Sequence, residues 1–458
     1  MEILSAAEVV HACNGRACNT DYTISVNGIS TDSRNIKKGE LFIPLKGERF
    51  DGHDYIMQAY DNGAGLVLTE KDINVGEKPY IIVDNTLEAL QKISGYYKSK
   101  FNVKIVAVTG SSGKTTTKDM IAAVLSRKYN VLKTQGNLNN EIGLPLTLLN
   151  LSSSHEAAVL EMGMSGLGEI KRLADIARPE IGVISNVGTA HIEKLGSREN
   201  ILIAKTEIFT YFNSSSIGII NGDNDLLKTI ADVDFKLIRF GLEEHNDIRA
   251  ANLSDDGASG ICFDVLTGNS ACAMKVPIPG VHNVYNALSA VCVGLELGMS
   301  IEDIRQGLLD FKPSKLRMEI FDTPKGIKVI NDVYNANPDS MRAAVNTLTS
   351  FRQKGRIICI LGDMLELGEM SEELHIELGE YIKDTGIDFL ITVGNLGERI
   401  SYGARNAGLK GDKIRCFSTN EEAIENLGLL LKSGDTVLIK GSRGMKMESI
   451  VEFLRERG

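Results

Sequence analysis

Short apolar runs alternate with longer amphipathic segments along most of the chain. The apolar runs are four to eight residues long, rich in Ile and Val, and end in Gly, Asn or Asp, as in KIVAVTG at residues 104–110 and IGVISN at 181–186. A strand that is buried on both faces has this continuous apolar pattern. The runs therefore predict strands of parallel sheets.

The segments between these runs have the period of amphipathic helices. In TTTKDMIAAVLSRKY, residues 115–129, the side chains of Met120, Val124 and Leu125 fall on one helical face. Regular alternation of strand and helix predicts an α/β fold with mostly parallel sheets. Ligands of such sheets bind beyond the carboxyl ends of the strands, so the polar ends of the apolar runs are the candidate binding loops.

The length of the chain and two breaks in the pattern indicate three domains. At roughly 150 residues per domain, 458 residues correspond to about three domains. A helical segment over residues 86–101 precedes a new strand at Val103, and a second helical segment, 301–311, ends before Lys312 and Pro313. We therefore expect domains at residues 1–100, 101–312 and 313–458.

Composition and charge exclude several classes of protein. Apolar residues make up 43% and charged residues 24%, which is ordinary globular usage and excludes a disordered chain or a collagen-like fibre. The net charge of −10 argues against a large nucleic-acid interface but is compatible with a local phosphate pocket. Neither a signal peptide nor a membrane-spanning run is visible, and the seven cysteines form no CxxC, so we expect a cytoplasmic protein with reduced thiols.

The clearest chemical motif lies between the strand KIVAV and the helix that follows it. It consists of Thr109, Gly110, Ser111, Ser112, Gly113, Lys114, Thr115 and Thr116. Glycines let backbone amides approach phosphate oxygens, and the helix N-terminus adds a positive field. Lys114 can then reach the β- and γ-phosphates and the Thr115 hydroxyl can bind Mg²⁺, although Val108 occupies the first Gly position of the Walker motif. A Gly/Ser turn that only caps a helix is the alternative.

Three single residues are weaker candidates. Glu161 ends the strand AAVLE, where a carboxylate suits a magnesium ligand or a water-positioning group, although a helix-capping or surface role fits equally. His191 comes after the strand IGVIS, and a hydrogen-bonded structural histidine is the alternative. Lys205 lies in a helical pattern, where a solvated lysine is usual.

Two later loops carry concentrated side-chain amides. Asn283 begins a helix and either reads the edge of a base or caps that helix. Residues 331–338, NDVYNANP, follow the strand IKVI and form either a ligand loop or an Asx-turn before a Pro-initiated helix. The other histidines without metal spacing are expected at the surface, namely His11, His155, His245 and His375.

Together these segments resemble the Mur ligase family over almost the whole chain. The resemblance rests on TGSSGKTTTK, GNLNNEIGLPLTLL, EMGMSGLGEI, NVGTAHIEKLGSRENILIAKTEI, GVHNVYNALSA, LRME, NDVYNANPDSMRAA and KGSRGMKME. The phosphate loop of this family lacks the first Walker Gly, so Val108 is expected there. The resemblance implies a small N-terminal α/β domain, a central P-loop-type ATPase domain with a mostly parallel sheet, and a C-terminal Rossmann-like α/β domain.

The resemblance also implies a reaction. The segments STDSRNIKKGELFIPLKGERFDGHD and NDVYNANPDS resemble family members that add D-alanyl-D-alanine to UDP-N-acetylmuramoyl-tripeptide. In that reaction ATP and Mg²⁺ convert the tripeptide carboxylate into an acyl phosphate, which the dipeptide amine attacks to give the UDP-muramoyl-pentapeptide of peptidoglycan synthesis. A monomeric ligase without nucleic-acid partners is expected, and the third residue of the tripeptide, lysine or diaminopimelate, stays open.

Alternatives remain both inside and outside this family. The third-residue-adding ligase carries a DNPR-like signature that is absent here, and folylpolyglutamate synthase shares the ATP core but not the N-terminal segment. A P-loop switch or motor ATPase would hydrolyse ATP without an amine acceptor. A nucleotide-sugar-binding protein would consume no ATP.

Roles for individual residues follow from the resemblance. The implied catalytic residues are Lys114, Glu161, His191, Lys205 and Arg317. The implied magnesium ligands are Thr115, Glu161, His191 and a carbamylated Lys205. The implied nucleotide site adds to the phosphate loop Asn283, Asn286, Arg317, Asp332, Tyr334 and Asn335.

The implied substrate contacts are spread over all three expected domains. For the uridine diphosphate they are Ser30, Thr31, Asp32, Ser33 and Arg34, with Phe50, Asp51, Gly52 and His53 nearby. For the tripeptide end and the phosphate they are Asn139 and Asn140. For the incoming dipeptide they are Lys440, Ser442 and Arg443.

Overall fold

The chain folds around three larger β-sheets that follow one another along the sequence, in a computed structural model that describes residues 1–20, 22–268, 270–352 and 355–457. The sheets have five, nine and six strands, and most neighbouring strands in each are parallel. The expected α/β class with mostly parallel sheets and three domains is therefore confirmed. Each sheet has helices packed on it, which is how parallel sheets bury both faces.

The N-terminal part is built on the five-stranded sheet. Its strands, which include a separate β1–β3 pair, are β1 Leu4–Ser5, β2 Arg16–Cys18, β3 Ser25–Val26, β4 Ile29–Ser30, β5 Leu41–Phe42, β6 Leu66–Thr69 and β7 Tyr80–Ile82. Its helices are α1 Ala6–Cys13, α2 Ile56–Asp61 and α3 Thr86–Ser99. The strand order is β2-β7-β6-β5-β4, and β2 is the antiparallel member.

The central part is built on the nine-stranded sheet. Its strands are β8 Lys104–Thr109, β9 Val131–Lys133, β10 Ala157–Glu161, β11 Ile181–Ile184, β12 Ile217–Asn221, β13 Lys236–Gly241, β14 Ile248–Asp255, β15 Ile261–Thr267 and β16 Ser270–Val276. Its helices are α4 Lys114–Leu125, α5 Gly143–Leu148, α6 Glu169–Ala177, α7 Ile192–Leu195, α8 Arg198–Thr206, α9 Val281–Glu296 and α10 Ile301–Asp310. The order β16-β15-β14-β13-β12-β11-β8-β10-β9 places β8 between β10 and β11.

The C-terminal part is built on the six-stranded sheet. Its strands are β17 Glu319–Asp322, β18 Lys328–Asn331, β19 Ile357–Gly362, β20 Phe389–Val393, β21 Ile414–Phe417 and β22 Thr436–Lys440. Its helices are α11 Pro338–Thr349, α12 Ser371–Thr385, α13 Gly397–Asn406, α14 Asn420–Leu430 and α15 Glu448–Arg457. The order is β17-β18-β22-β19-β20-β21, with only β17 antiparallel among the described strands.

The predicted helical face of α4 is the face that the protein buries. Met120, Val124 and Leu125 are fully buried and pack in one cluster with Val106 and Val108 of β8. Burial of each such side chain contributes about 1.5–3 kcal/mol. This packing fixes the start of α4 directly after β8, and so fixes the loop between them. Within the described residues, no helix is both long and apolar enough to cross a membrane.

An antiparallel extension of the central sheet was not predicted. β14, β15 and β16 pair in sequence order, and β15 alternates buried and half-buried positions instead of forming a continuous apolar run. A continuous apolar run marks a strand that is buried on both faces. A strand with one half-exposed face, such as β15, has no such run in its sequence.

The connection between the central and C-terminal sheets is held at both ends. Ser314 Oγ donates to Oδ2 of buried Asp119 in α4 at 2.6 Å, and Met318 N donates to Oδ1 of Asp332 at 3.3 Å. Leu316 and Met318 are left-handed, with φ of +64° and +50°, a conformation that costs a non-glycine residue about 1–2 kcal/mol. These constraints fix the position of Arg317 between them.

Close packing of α12 on α13 gives a test of the C-terminal part. A Cβ added to Gly403 would lie 2.1 Å from the backbone oxygen of Ile376, and one added to Gly379 would lie 2.0 Å from that of Ile400. Because backbone atoms must move to relieve the clash, Gly403→Ala should lower the stability by about 1–3 kcal/mol and lower the midpoint of thermal unfolding. Calorimetry measures both quantities.

Gly428→Ala is the matched control, because Gly428 is an exposed residue of α14 and its added Cβ would meet no atom within 4 Å. It should leave stability unchanged or raise it by up to about 1 kcal/mol. Equal midpoints of thermal unfolding for the two variants would contradict the close contact between α12 and α13.

Candidate active site

A cavity of about 590 Å³ lies where the carboxyl ends of central and C-terminal strands face each other. The central part contributes the loops after β8, β10 and β11 and the start of α9. The C-terminal part contributes Arg317, the loop after β18, Glu366 and Lys440. Strand ends are where ligands of parallel sheets bind, as the sequence pattern predicted.

The loop from Ser111 to Gly113 is braced by the segment after β11. Asn186 Oδ1 accepts from Ser112 N at 2.8 Å, and Asn186 Nδ2 donates to Ser112 Oγ at 2.8 Å. Ser185 Oγ donates to Ser112 O at 2.6 Å. Gly113 has φ of +77° and lies so close to Asn286 that an added Cβ would be 2.6 Å from its Oδ1. Contacts within the protein thus hold the loop in shape.

The start of α4 offers both backbone amides and a cation to the cavity. Gly113 is the N-cap and has no side chain, so the first amides of the helix keep no capping partner within the helix. Lys114, Thr115 and Thr116 line the cavity, and Lys114 Nζ donates to Gly110 O at 2.7 Å. Burial lowers the pKa of Lys114. This arrangement suits a polyanion, which would replace a neutral carbonyl as the partner of the ammonium.

Glu161 presents one unpaired carboxylate oxygen at the end of β10. The residue is 2% exposed, and its Oε1 accepts from Asn139 Nδ2 at 2.8 Å. Its Oε2 is buried and has no hydrogen-bond partner among the described residues. A buried, unsatisfied carboxylate oxygen is costly unless a cation completes it. Together with the neighbouring cavity residue Thr115, this oxygen fits a hard divalent cation such as Mg²⁺.

His191 meets a residue from the other side of the cavity. Its Nδ1 lies 2.7 Å from Oε2 of Glu366, which follows β19 in the C-terminal part. Both residues are left-handed, each with φ of +64°. Strained non-glycine residues of this kind concentrate at functional sites. Contact with His191 holds the pKa of Glu366 below its ordinary value.

Lys205 is buried without being a lining residue of the cavity. It lies in α8 with 1% of its surface exposed. Burial, and secondarily the charge of Lys114, lower its pKa well below the ordinary value. The alternative of a solvated helix lysine is therefore wrong. A buried amine whose charged form is disfavoured is open to covalent modification by an electrophile such as CO₂.

The amides of α9 are largely engaged with the protein itself. Asn283 Nδ2 donates to Pro279 O at 2.7 Å, and Asn286 Nδ2 donates to Asn283 Oδ1 at 3.0 Å. Asn286 Oδ1 accepts from Thr117 Oγ1 of α4 at 3.0 Å. Both residues line the cavity, and Asn286 ties α9 to the phosphate loop. The neighbouring His282 also lines it, and burial lowers its pKa to about 4, so its ring is neutral near pH 7.

Arg317 and the loop after β18 form the opposite wall. The Arg317 guanidinium lies 4.0 Å from the centre of the Tyr334 ring. Asp332 Oδ2 accepts from buried Lys440 Nζ at 2.5 Å, and the same ammonium donates to Asn335 O at 2.9 Å. Lys440 thus holds the loop after β18 in shape. Although Lys440 lines the cavity, its ammonium is already paired with Asp332.

Several predicted site residues lie elsewhere or have structural contacts. Thr109 and Gly110 belong to the phosphate loop but are not lining residues. Ser442 is buried and outside the cavity lining, where its hydroxyl accepts from Leu365 N at 2.8 Å and donates to Ala336 O at 3.3 Å. Arg443 is exposed and paired with Glu448. Asn139 and Asn140 line the cavity, although Asn140 Oδ1 also accepts from Gly143 N at 2.8 Å.

The predicted uridine diphosphate residues form a separate loop of the N-terminal part. Asp32 accepts from Arg34 through both carboxylate oxygens, at 2.9 and 3.0 Å, which lowers the pKa of Asp32 to about 2. Ser30 Oγ donates to Asp32 O, whereas the buried Ser33 donates to Gln58. None of the residues from Ser30 to Arg34, nor Phe50 to His53, is a lining residue of the 590 Å³ cavity.

Sequence reasoning missed several lining residues, among them Glu366 and His282, and it misplaced His375. Glu366 follows the apolar run RIICILG, so the strand-end rule could have found it. His282 stood beside Asn283 in the same motif. His375, expected at the surface, is fully buried, and its Nε2 accepts from Met364 N at 2.9 Å. That expectation was wrong because spacing along the chain does not indicate burial on a helix.

Family models and relatives agree over the length of the chain. The Mur ligase family catalytic domain matches residues 25–124, the Mur ligase middle domain 108–294, and the Mur ligase glutamate ligase domain 316–443. The UDP-N-acetylmuramoyl-tripeptide–D-alanyl-D-alanine ligase of Bacillus subtilis strain 168 is 40% identical over 457 residues, which cover 99% of this chain and 98% of that protein. The ligase of the same name from Escherichia coli K12 is 35% identical, with 99% of each covered.

Solved structures show the same relationship. The crystal structure of MurF from Acinetobacter baumannii has a TM-score of 0.91 and 33% identity, and the match covers 99% of each chain. MurF from Thermotoga maritima in complex with ADP has a TM-score of 0.84 and 31% identity, with 93% of this chain and 96% of that chain covered. The chain therefore belongs to the Mur ligase family.

Proposed function

We propose that the protein is an ATP-dependent amide ligase that joins D-alanyl-D-alanine to UDP-N-acetylmuramoyl-tripeptide. The observation that carries this function is the cavity between the nine-stranded and six-stranded sheets, where a phosphate loop and an unpaired Glu161 oxygen face Arg317 and Asp332. Full-length relatives of 40% and 35% identity are named for that reaction. The product would be the UDP-muramoyl-pentapeptide precursor of peptidoglycan.

Charge neutralisation is the main task of the residues around the phosphates. The tripeptide carboxylate attacks the γ-phosphoryl group, so two anions must approach each other. The amides at the start of α4 and the Lys114 ammonium bind the phosphate oxygens, while Arg317 reaches them from the opposite wall. Burial strengthens each of these interactions, because the effective dielectric constant around them is lower than that of water.

Magnesium is the expected metal, and the residues fit it. Glu161 Oε2 and the Thr115 hydroxyl would hold one ion, and His191, with Lys205 in a carbamylated form, would serve a second. The ions would screen the β- and γ-phosphate charges. Carbamylation would turn the Lys205 amine into an anion, which suits a place next to Lys114 and metal ions.

The nucleotide and its two co-substrates would divide among the three parts of the chain. We assign the sugar nucleotide to residues 1–100 through the Ser30–Arg34 loop, ATP to 101–312, and the dipeptide largely to 313–458. Asn283, His282, Asp332, Tyr334 and Asn335 would surround the nucleoside. We further propose that the enzyme acts as a monomer in the cytoplasm, where ATP and the UDP-linked tripeptide would be available to it.

The choice of amine acceptor separates this function from its alternatives. With UDP-N-acetylmuramoyl-tripeptide and ATP, phosphate release should require D-alanyl-D-alanine and stay at background with a free diamino acid or glutamate. A coupled phosphate assay with purified protein measures it. Release that needs no acceptor would indicate a switch or motor ATPase, and release with glutamate would indicate a folylpolyglutamate-type ligase.

Lys205→Ala should abolish ligase activity, because both the buried amine and the carbamate that it forms are lost. Added bicarbonate should not restore the variant, and a carbamate carbon signal seen with ¹³C-bicarbonate in the wild type should be absent. The exposed helix residue Lys171 provides the control, since Lys171→Ala removes a lysine without touching the cavity. Near-normal activity of Lys205→Ala would rule out this role.

A further inference from the structure

The incoming dipeptide carries a cation into a cavity that is already rich in cations. An α-amino group has a pKa of about 8 and is mostly protonated at pH 7. Lys114, Arg317 and Lys440 all line the cavity, and the charge of Lys114 acts on buried Lys205. An ammonium that enters here needs an anionic partner, because unpaired like charges repel strongly where water is scarce.

Four carboxylates line this cavity among the described residues, and three are already engaged. Asp332 is paired with Lys440 at 2.5 Å. Glu169 accepts from Ser165 N at 2.9 Å and from Ser165 Oγ at 3.1 Å, so both of its oxygens are used. Glu161 binds Asn139 through one oxygen and keeps its other, buried oxygen for the cation proposed above.

Glu366 is the remaining carboxylate. Its Oε2 meets His191 Nδ1 at 2.7 Å, its Oε1 has no hydrogen-bond or ion-pair partner among the described residues, and 62% of its side chain is exposed. It belongs to the C-terminal part, to which the dipeptide was assigned above. Glu366 therefore combines a free oxygen, a full charge and access from the side on which the dipeptide would enter.

The loop that carries Glu366 is held firmly from below. Leu365 N donates to Ser442 Oγ at 2.8 Å, and Met364 N donates to Nε2 of buried His375 at 2.9 Å. Asp363 Oδ1 accepts from Gly397 N at 2.6 Å. Glu366 itself is left-handed, a strained conformation that this surrounding network maintains. A rigid support of this kind is expected for a substrate-binding group and is not needed by an ordinary surface glutamate.

We propose that Glu366 binds the α-ammonium of the incoming dipeptide and positions it beside the phosphate end of the cavity. This inference rests on the proposed ligase function. Ser442 would then serve the dipeptide site indirectly, through the Leu365 backbone that it supports, without reaching the cavity.

Steady-state kinetics of Glu366→Gln test the role, because the substitution removes the charge and keeps the size. The KM for D-alanyl-D-alanine should rise roughly 10- to 100-fold, as expected for loss of a hydrogen bond between charged groups. The KM values for ATP and UDP-tripeptide should stay within about 2-fold of wild type. Acyl phosphate formed without dipeptide, trapped with hydroxylamine, should be unchanged. Glu366→Asp, which keeps the charge, should lie between the two.

Glu369→Gln is the matched control, since Glu369 is an exposed acid three residues further along that does not line the cavity. It should leave all three KM values unchanged. An unchanged dipeptide KM in Glu366→Gln would overturn the proposal. A parallel rise in all three KM values would also overturn it, because Glu366 would then only hold the central and C-terminal parts together through His191. Loss of trapped acyl phosphate would also overturn it, because Glu366 would then act through His191.

A second variant and a wild-type control separate the remaining outcomes. If Glu366→Gln did not fold, as judged by thermal melting, the same measurements on Glu366→Asp would decide, with a raised dipeptide KM in support and an unchanged one against. A wild-type protein that shows no dipeptide-dependent phosphate release would refute the ligase function itself, independently of any Glu366 variant.

Discussion

Repulsion between a carboxylate and a polyphosphate is the constraint on which the architecture depends. The chain has a net charge of −10, yet the reaction needs concentrated positive charge at one point. Two unit charges 4 Å apart interact by about 1 kcal/mol in water but by about 4 kcal/mol at an effective dielectric constant of 20. Lys114 and Arg317 line the cavity, where partial burial strengthens the effect of each cation, and the charge of Lys114 also acts on buried Lys205. The cost of desolvation is visible in the lowered pKa values of both lysines.

The junction between the central and C-terminal sheets follows from this constraint. Its direct contacts include several single hydrogen bonds: Asp339 accepts from Thr189 N at 3.3 Å, Asn337 donates to Ser111 O at 3.4 Å, and Ser314 donates to Asp119. Such contacts can separate and reform, as substrate entry requires. Closure around the substrates would exclude water from an acyl phosphate that hydrolyses easily. We infer that the shape of the chain serves both charge concentration and the exclusion of water.

Local sequence patterns predicted the parts of the fold that are buried on both faces, and the resemblance to Mur ligases pointed to the phosphate loop and to part of the remaining cavity lining. β8, α4 and the phosphate loop were foreseen because apolar runs and glycine spacing are local signals. The half-exposed strand β15 was missed because it has no continuous apolar run. Glu366 was within reach of the strand-end rule, but its contact with His191, which is 175 positions away in the chain, forms only in the fold. Ser442 was assigned to the substrate because a sequence does not show which hydroxyls the backbone already uses.

Oxygen transfer from the tripeptide carboxylate to phosphate is the most direct test of ligation through an acyl phosphate. UDP-N-acetylmuramoyl-tripeptide labelled with ¹⁸O in its terminal carboxylate would be incubated with ATP, Mg²⁺ and D-alanyl-D-alanine. Attack by the carboxylate on the γ-phosphoryl group and displacement by the amine predict that a labelled oxygen leaves in the released phosphate, as mass spectrometry would show. Unlabelled phosphate released together with unligated, fully labelled tripeptide would contradict this mechanism.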